Sequence, residues 1–220
     1  MMKQFAVIGV GNFGYYLAVR LYEKGHEVLA IDKNSDRIQD IRDRVSRAVV
    51  ADAADKEAVQ PLGLENMDAV AVSTGGDLSE SILICLNLKD LGVKRILAKV
   101  ISESHARIVG KIGATDILFP EKDLAETLAE RLHAPNVLEY LPFMENYSIL
   151  EMTPPKAFVG KKLRELDLIN RFGLQVIAIK ESVPERVNMV PTANHTLKDS
   201  DLLIVLGPNE GLDDFKNEND

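Results

Sequence analysis

From residue 4 to about 133, short apolar runs alternate with longer amphipathic stretches, the pattern of a parallel sheet whose strands are joined by crossover helices. The runs Phe5–Gly9, Val28–Asp32, Ala48–Ala51, Ala69–Ser73, Ile96–Val100 and Asp116–Phe119 predict six strands, enough for a complete doubly wound sheet. Helices are predicted over Phe13–Lys24, Ser35–Arg44, Lys56–Leu62, Leu78–Leu91, Ser104–Ile112 and Leu124–Leu132. Ile82, Leu83, Leu86 and Leu88 include the i, i+3, i+4 spacing of a core-facing helix, and Gly25, Gly92 and Gly113 each follow a helical run as helix stops do.

The alternation breaks at Ala134-Pro135-Asn136 and Leu141-Pro142, which predicts a first domain at 1–134, a linker at 135–146 and a smaller second domain at 147–220. There the segments shorten to strands Ser148–Met152, Leu174–Lys180, Val187–Val190 and Leu202–Leu206, one helix near Lys161–Leu166, and a frayed polar end from Lys216. The expected fold class is α/β: a Rossmann-like doubly wound parallel sheet followed by a small, β-rich α+β domain.

Composition narrows the function. The 220 residues are 46% hydrophobic and 27% charged, as in ordinary globular domains. The apolar runs fall far below the roughly 18 residues that span a bilayer, and the start lacks the regions of a signal peptide, so a cytoplasmic protein is expected. With 34 acidic against 26 basic residues and a net charge of −8, a general nucleic-acid binder is not expected, and any phosphate ligand must be held locally. The single cysteine, Cys85, has no internal disulfide partner and reads as a small core residue.

Candidate chemistry begins at Val7-Ile8-Gly9-Val10-Gly11-Asn12-Phe13-Gly14, a G-x-G-x-x-G that follows the first strand and opens the first helix. Gly9 permits a tight turn, Gly11 lets a pyrophosphate approach the backbone, and Gly14 lets helix and strand pack closely, while the helix start offers free N–H groups to phosphates. Asp32 ends the second strand about 20 residues later, where a carboxylate accepts hydrogen bonds from ribose hydroxyls and disfavours a 2′-phosphate; Lys33 beside it weakens that exclusion. Asp52 sits where the adenine end of a ligand would lie, or else makes a strand-end turn, with Asp55 the better helix cap. Ser73, Thr74 and Gly75 either line the phosphates or turn the chain into a helix capped by Asp77. Lys99 is a lone charge in an apolar strand and needs a partner: a ligand phosphate, or water reached from a sheet edge. Glu121 reads as a first-turn helix carboxylate.

On these segments the chain resembles the RCK-domain cytosolic subunits of bacterial Ktr and Trk potassium-uptake systems. The resemblance is carried by Gln4–Gly14, Gly25–Asp32, Ile112-Gly113-Ala114, Phe119–Asp123, Gly160–Asp167 and Asp199–Gly207. It implies an RCK N-lobe and C-lobe, an adenine nucleotide (ATP, ADP or NAD(H)) on the N-lobe, homodimers built into an octameric ring, and a membrane potassium-translocating partner that holds the protein at the inner face of the membrane. By position it assigns Gly9, Gly11, Gly14 and Lys99 to phosphates, Asp32 to ribose, Asp52 and Ala53 to the adenosine end, and Glu121 to a divalent cation. Asn12 departs from the arginine many members carry in the loop, leaving a hydrogen-bond donor without charge. Arg171 stands displaced from the arginine that contacts a cyclic dinucleotide in some relatives, so no such site is expected.

Two other functions compete. An NAD-dependent oxidoreductase needs a substrate domain that brings an acid, base or metal to the nicotinamide. The second domain offers one histidine, His195, in what reads as an exposed loop, and His26, His105 and His133 read as structural. The other is a nucleotide sensor for a different transport protein. The sequence therefore predicts a non-enzymatic, nucleotide-sensing regulator of potassium uptake.

Overall fold

A computed structural model of the chain describes residues 1–74, 76–133, 136–182 and 184–218. They form two compact units, Met1–Glu121 and Lys122–Asp220. In the first, strands β1 (Gln4–Ile8), β2 (Glu27–Asp32), β3 (Arg47–Val50), β4 (Ala69–Val72), β5 (Ile96–Lys99) and β6 (Asp116–Leu118) make one parallel sheet in the order β3-β2-β1-β4-β5-β6. Helices α1 (Asn12–Glu23), α2 (Ser35–Ile41), α3 (Lys56–Val59), α4 (Leu78–Asp90) and α5 (Glu103–Ile112) connect the strands, and α6 (Pro120–His133) follows the last.

Side chains alternate across the sheet with the period of two that strands impose. Ala6 and Ile8 join Leu29, Ile31, Val70 and Val72 in a core with Ile84, Leu88 and Val109 of α4 and α5. Val7, Val28, Ala30 and Ala71 join Ala18, Ile38 and Ile41 of α1 and α2 in a second core. Both faces are covered, which is why these strands read as unbroken apolar runs. The strand order reverses direction beside β1, so a crevice opens at the carboxyl ends of β1 and β4.

The second unit holds an antiparallel sheet of β7 (Val137–Met144), β8 (Tyr147–Met152), β9 (Gln175–Ser182), β10 (Glu185–Asn188) and β11 (Leu202–Pro208), ordered β10-β9-β11-β8-β7. Helices α7 (Leu163–Leu166), α8 (Leu168–Phe172) and α9 (Asn209–Asn217) complete it. Phe158, Leu166, Leu174, Leu203, Leu212 and Phe215 share its core.

Three sequence expectations are corrected. The stretch expected as a linker carries β7, paired along its length with β8. The polar end expected to fray is helical through Asn217, because Leu212 and Phe215 bury one face of α9. His195 is not exposed: its Nε2 lies 3.2 Å from the buried carboxylate of Asp201. Cys85 sits in the first core as expected, where burial pushes its thiol up to about 11.

Candidate functional site

The carboxyl ends of β1, β2 and β4 converge on the glycine loop. Gly9 adopts a φ of +89°, and a Cβ there would fall 2.7 Å from the backbone of Ser73, so turn and strand packing both demand glycine. The Gly9 N–H donates to the Ile31 carbonyl of β2 at 2.8 Å. Gly14 is pressed against the carbonyl of Gly9. Gly11 differs: its φ is −73° and a Cβ would meet no heavy atom within 4 Å. No described residue fills the space beside Gly11, which leaves its backbone open to a group approaching from outside.

Gly11 is also the N-cap of α1 and caps no N–H with a side chain. The first N–H groups of the helix, at Asn12, Phe13 and Gly14, therefore keep the donor capacity that suits an anion. Asn12 is exposed beside them and Phe13 half-buried.

Asp32 is buried at the end of β2. Its Oδ2 accepts the Val10 N–H at 2.7 Å, its Oδ1 accepts the Asn34 N–H at 2.9 Å, and Arg37 Nη1 lies 3.4 Å away. Lys33 pairs at 2.9 Å with Glu80 in the first turn of α4, which holds its ammonium above the usual lysine range. Asp77 caps that helix, accepting from the N–H groups of Ser79 at 2.8 Å and Glu80 at 3.2 Å.

Asp52 is exposed, and its Oδ1 closes a turn by accepting the Ala54 N–H at 3.0 Å; Asp55 caps α3. Ala53 is different, its side chain in the core and its carbonyl taken by Asn87 Nδ2 at 3.2 Å. Ser73 is buried with its N–H on the Ile8 carbonyl at 2.7 Å. Thr74 Oγ1 is buried at the crevice and has no hydrogen-bond partner among the described residues. Gly75 lies outside the described residues.

Lys99 ends β5, a strand flanked on both sides, so it does not reach water from a sheet edge. Its ammonium sits 2.5 Å from Glu121 Oε1 and 6.0 Å from the centre of the Phe13 ring, with 12% of the side chain exposed. Glu121, in the first turn of α6, is held below the usual carboxylate range by Lys99. Among the described residues no three carboxylates, histidines or cysteines gather as a metal site, so Glu121 alone does not make one.

The structure thus groups Gly9–Gly14, Asp32, Ser73 and Thr74 at one crevice, with Lys99 beside Phe13. Glu80 and Arg37, which neutralise Lys33 and Asp32, were not read from the sequence; an acid in a helix's first turn was the available signal for Glu80. In the second unit a cavity of about 320 Å³ is lined by Leu168, Ile169, Gln175 and Pro191 among others. Arg171 is occupied by the rings of Phe172 and Phe158 and by Glu218.

The crevice fits the phosphate end of a nucleotide on three counts: an open face at Gly11, helix N–H groups without a side-chain cap, and a buried Thr74 hydroxyl with no partner among the described residues. The TrkA-N domain family matches residues 5–120 and the TrkA-C domain family residues 148–219. Ktr system potassium uptake protein C of Bacillus subtilis (strain 168) is 37% identical over 207 residues, covering 94% of this chain and 93% of the relative. Ktr system potassium uptake protein A of Vibrio alginolyticus is 37% identical over 210 residues, covering 96% and 94%. Among solved structures, a GsuK channel superposes with a TM-score of 0.67 at 17% identity over 97% of this chain and 38% of its own. A GsuK channel bound to NAD gives 0.64 at 18%, over 96% and 38%. The chain thus spans well under half of those channel chains, and the likeness is one of fold.

Proposed function

The chain belongs to the family of Ktr system potassium uptake proteins, built from a TrkA-N and a TrkA-C domain, and on that premise we propose that it binds an adenine nucleotide and regulates potassium entry through a separate membrane protein. No helix among the described residues is long and apolar enough to cross a membrane, and in this reading potassium passes through a partner. The reading rests on one observation above the others: Gly11 is a glycine that the fold leaves free.

In this reading the N–H groups at Asn12 to Gly14 hold the phosphates, and Asp32 takes the ribose through the capacity its present hydrogen bonds leave. Ser73, Thr74 and Gly75 line the phosphates, and Asp52 faces the adenosine end with Lys33 nearby. Ala53 contributes backbone at most, since its side chain is core. Lys99 supplies the positive charge that Asn12 does not, by turning from Glu121 to a terminal phosphate. A divalent cation would take Glu121 as one ligand and need phosphate oxygens for the rest. The likeness to a GsuK channel bound to NAD supports a dinucleotide as readily as ATP or ADP.

The bound nucleotide is sensed and not consumed. The chain works as a homo-oligomer, a reading supported by Leu124, Leu128 and Leu132, which recur every four residues and stay exposed along α6. Calorimetry of the purified chain with ATP, ADP, NADH and NADPH, paired with assays of phosphate release and hydride transfer, tests the proposal. Binding of at least one adenine nucleotide without turnover is expected. Steady consumption of any of them defeats the regulatory reading, and a preference for NADPH over the rest defeats the role given to Asp32.

A further inference from the structure

A carboxylate offers about four acceptor positions. Asp32 already uses most of them inward. Its side chain is 5% exposed, Oδ2 takes the Val10 N–H, Oδ1 takes the Asn34 N–H, and Arg37 stands at 3.4 Å. Val10 is itself buried, so without Asp32 its N–H would lose its partner in the core. The preceding N–H, of Gly9, goes to the Ile31 carbonyl one residue before Asp32. Two consecutive amides of the glycine loop are thus fastened to the last two residues of β2. One bond is backbone to backbone. The other is charge-assisted and depends on the identity of residue 32.

From this we infer that Asp32 is a positioning residue for the phosphate cradle: it fixes Val10, and through Val10 the orientation of the Gly11–Gly14 amides, whether or not a ribose is present. This rests on the nucleotide-binding reading above and adds to it. Asp32 would be expected to matter for ligands that lack the hydroxyls a ribose contact needs. Asn34 completes the bracket, since the residue whose N–H meets Oδ1 also caps α2 by accepting from the N–H groups of Asp36 and Arg37.

The test is calorimetry on the full chain with ATP and with 2′,3′-dideoxy-ATP, for the wild type and Asp32→Asn. An asparagine offers acceptor lone pairs on one side only, so it leaves either Val10 or Asn34 unpaired. Loss of one charge-assisted bond predicts about tenfold weaker binding of both ligands. A loss seen with ATP and absent with the dideoxy ligand assigns Asp32 to the sugar alone and overturns the inference. Should the variant fold poorly, amide exchange in the ligand-free wild type decides: slow exchange at Val10 is expected, and exchange at the rate of exposed loop amides overturns it. If the wild type binds neither ligand, the nucleotide reading fails, and the Val10 amide still decides the loop contact by itself.

Discussion

A Cβ on Gly14 would lie 2.0 Å from the carbonyl oxygen of Gly9, whereas one on Gly11 would have open space around it. The two glycines look alike in the motif and answer to different constraints, so their substitutions should separate stability from binding. Gly14→Ala forces α1 away from the first strand, and a loss of about 1–3 kcal/mol is expected, as for other overpacked sites. Gly11→Asp places an N-cap acceptor on α1, which by itself favours the helix, while setting a negative charge where phosphates would come. Its melting temperature should equal or exceed that of the wild type, with nucleotide binding abolished. Thermal denaturation with calorimetry on both variants checks the pair; a Gly11→Asp protein that still binds ATP removes the main support for the crevice. The motif was legible from the sequence because glycine spacing reports backbone geometry directly. The same spacing gave each glycine its part, but not the contact that fixes Gly9, whose Cβ would meet the backbone of Ser73 and Thr74, about sixty residues away in the chain.

Elements join through contacts of the same kind. His105, at the first turn of α5, is almost completely buried and its Nε2 lies 3.1 Å from Ser81 Oγ of α4, while Nδ1 accepts the Ile101 N–H at 3.4 Å. With Nδ1 accepting, Nε2 carries the proton and donates to Ser81, so the ring joins the two helices in its neutral form. Burial lowers its pKa from 6.5. Because the folded value is depressed, the unfolded chain binds the extra proton first: the contribution is complete above the unfolded value and is lost as pH falls below it toward the folded one. The first unit should therefore be less stable at pH 5.5 than at pH 7.5, and His105→Gln should flatten that slope, read by urea denaturation at the two pH values. An unchanged slope in the variant would assign the pH dependence to other groups. At this scale the parallel sheet was readable because strands buried on two faces are apolar throughout. The second unit was harder. Strand β7 carries Pro142 and register shifts on either side of it, features a strand tolerates at a sheet edge, and β7 is an edge. Helix α9 is mostly polar, and its burial depends on Phe215 meeting Phe158 and Phe172, at ring separations of 5.6 Å and 5.7 Å, partners that periodicity does not reveal.

For the molecule as a whole, the proposed function requires a ligand in a crevice of the first unit to alter the passage of an ion through another protein. A ligand shifts a conformational equilibrium only by its difference in affinity for the two states. Two ion pairs at the crevice offer such a difference, because Lys33 is held by Glu80 and Lys99 by Glu121. Glu121 stands in the first turn of α6, the helix in which the first unit ends and the second begins. A terminal phosphate that draws Lys99 from Glu121 would free the start of that helix, and a ligand lacking that phosphate would leave the pair closed. ATP and ADP should then stabilise different states, with a coupling of about 1–3 kcal/mol, or roughly 5- to 150-fold. The measurement is potassium flux into liposomes holding the membrane partner together with this chain, in ATP, ADP, NADH and no nucleotide. Flux in ATP should differ from flux in ADP at least fivefold, and Lys99→Gln should bring the two together while each still binds. Equal flux in every condition, with binding measured separately, would leave the chain an assembly factor with a bound nucleotide. A difference that survives Lys99→Gln would move the switch away from Glu121 and toward the other held lysine, Lys33.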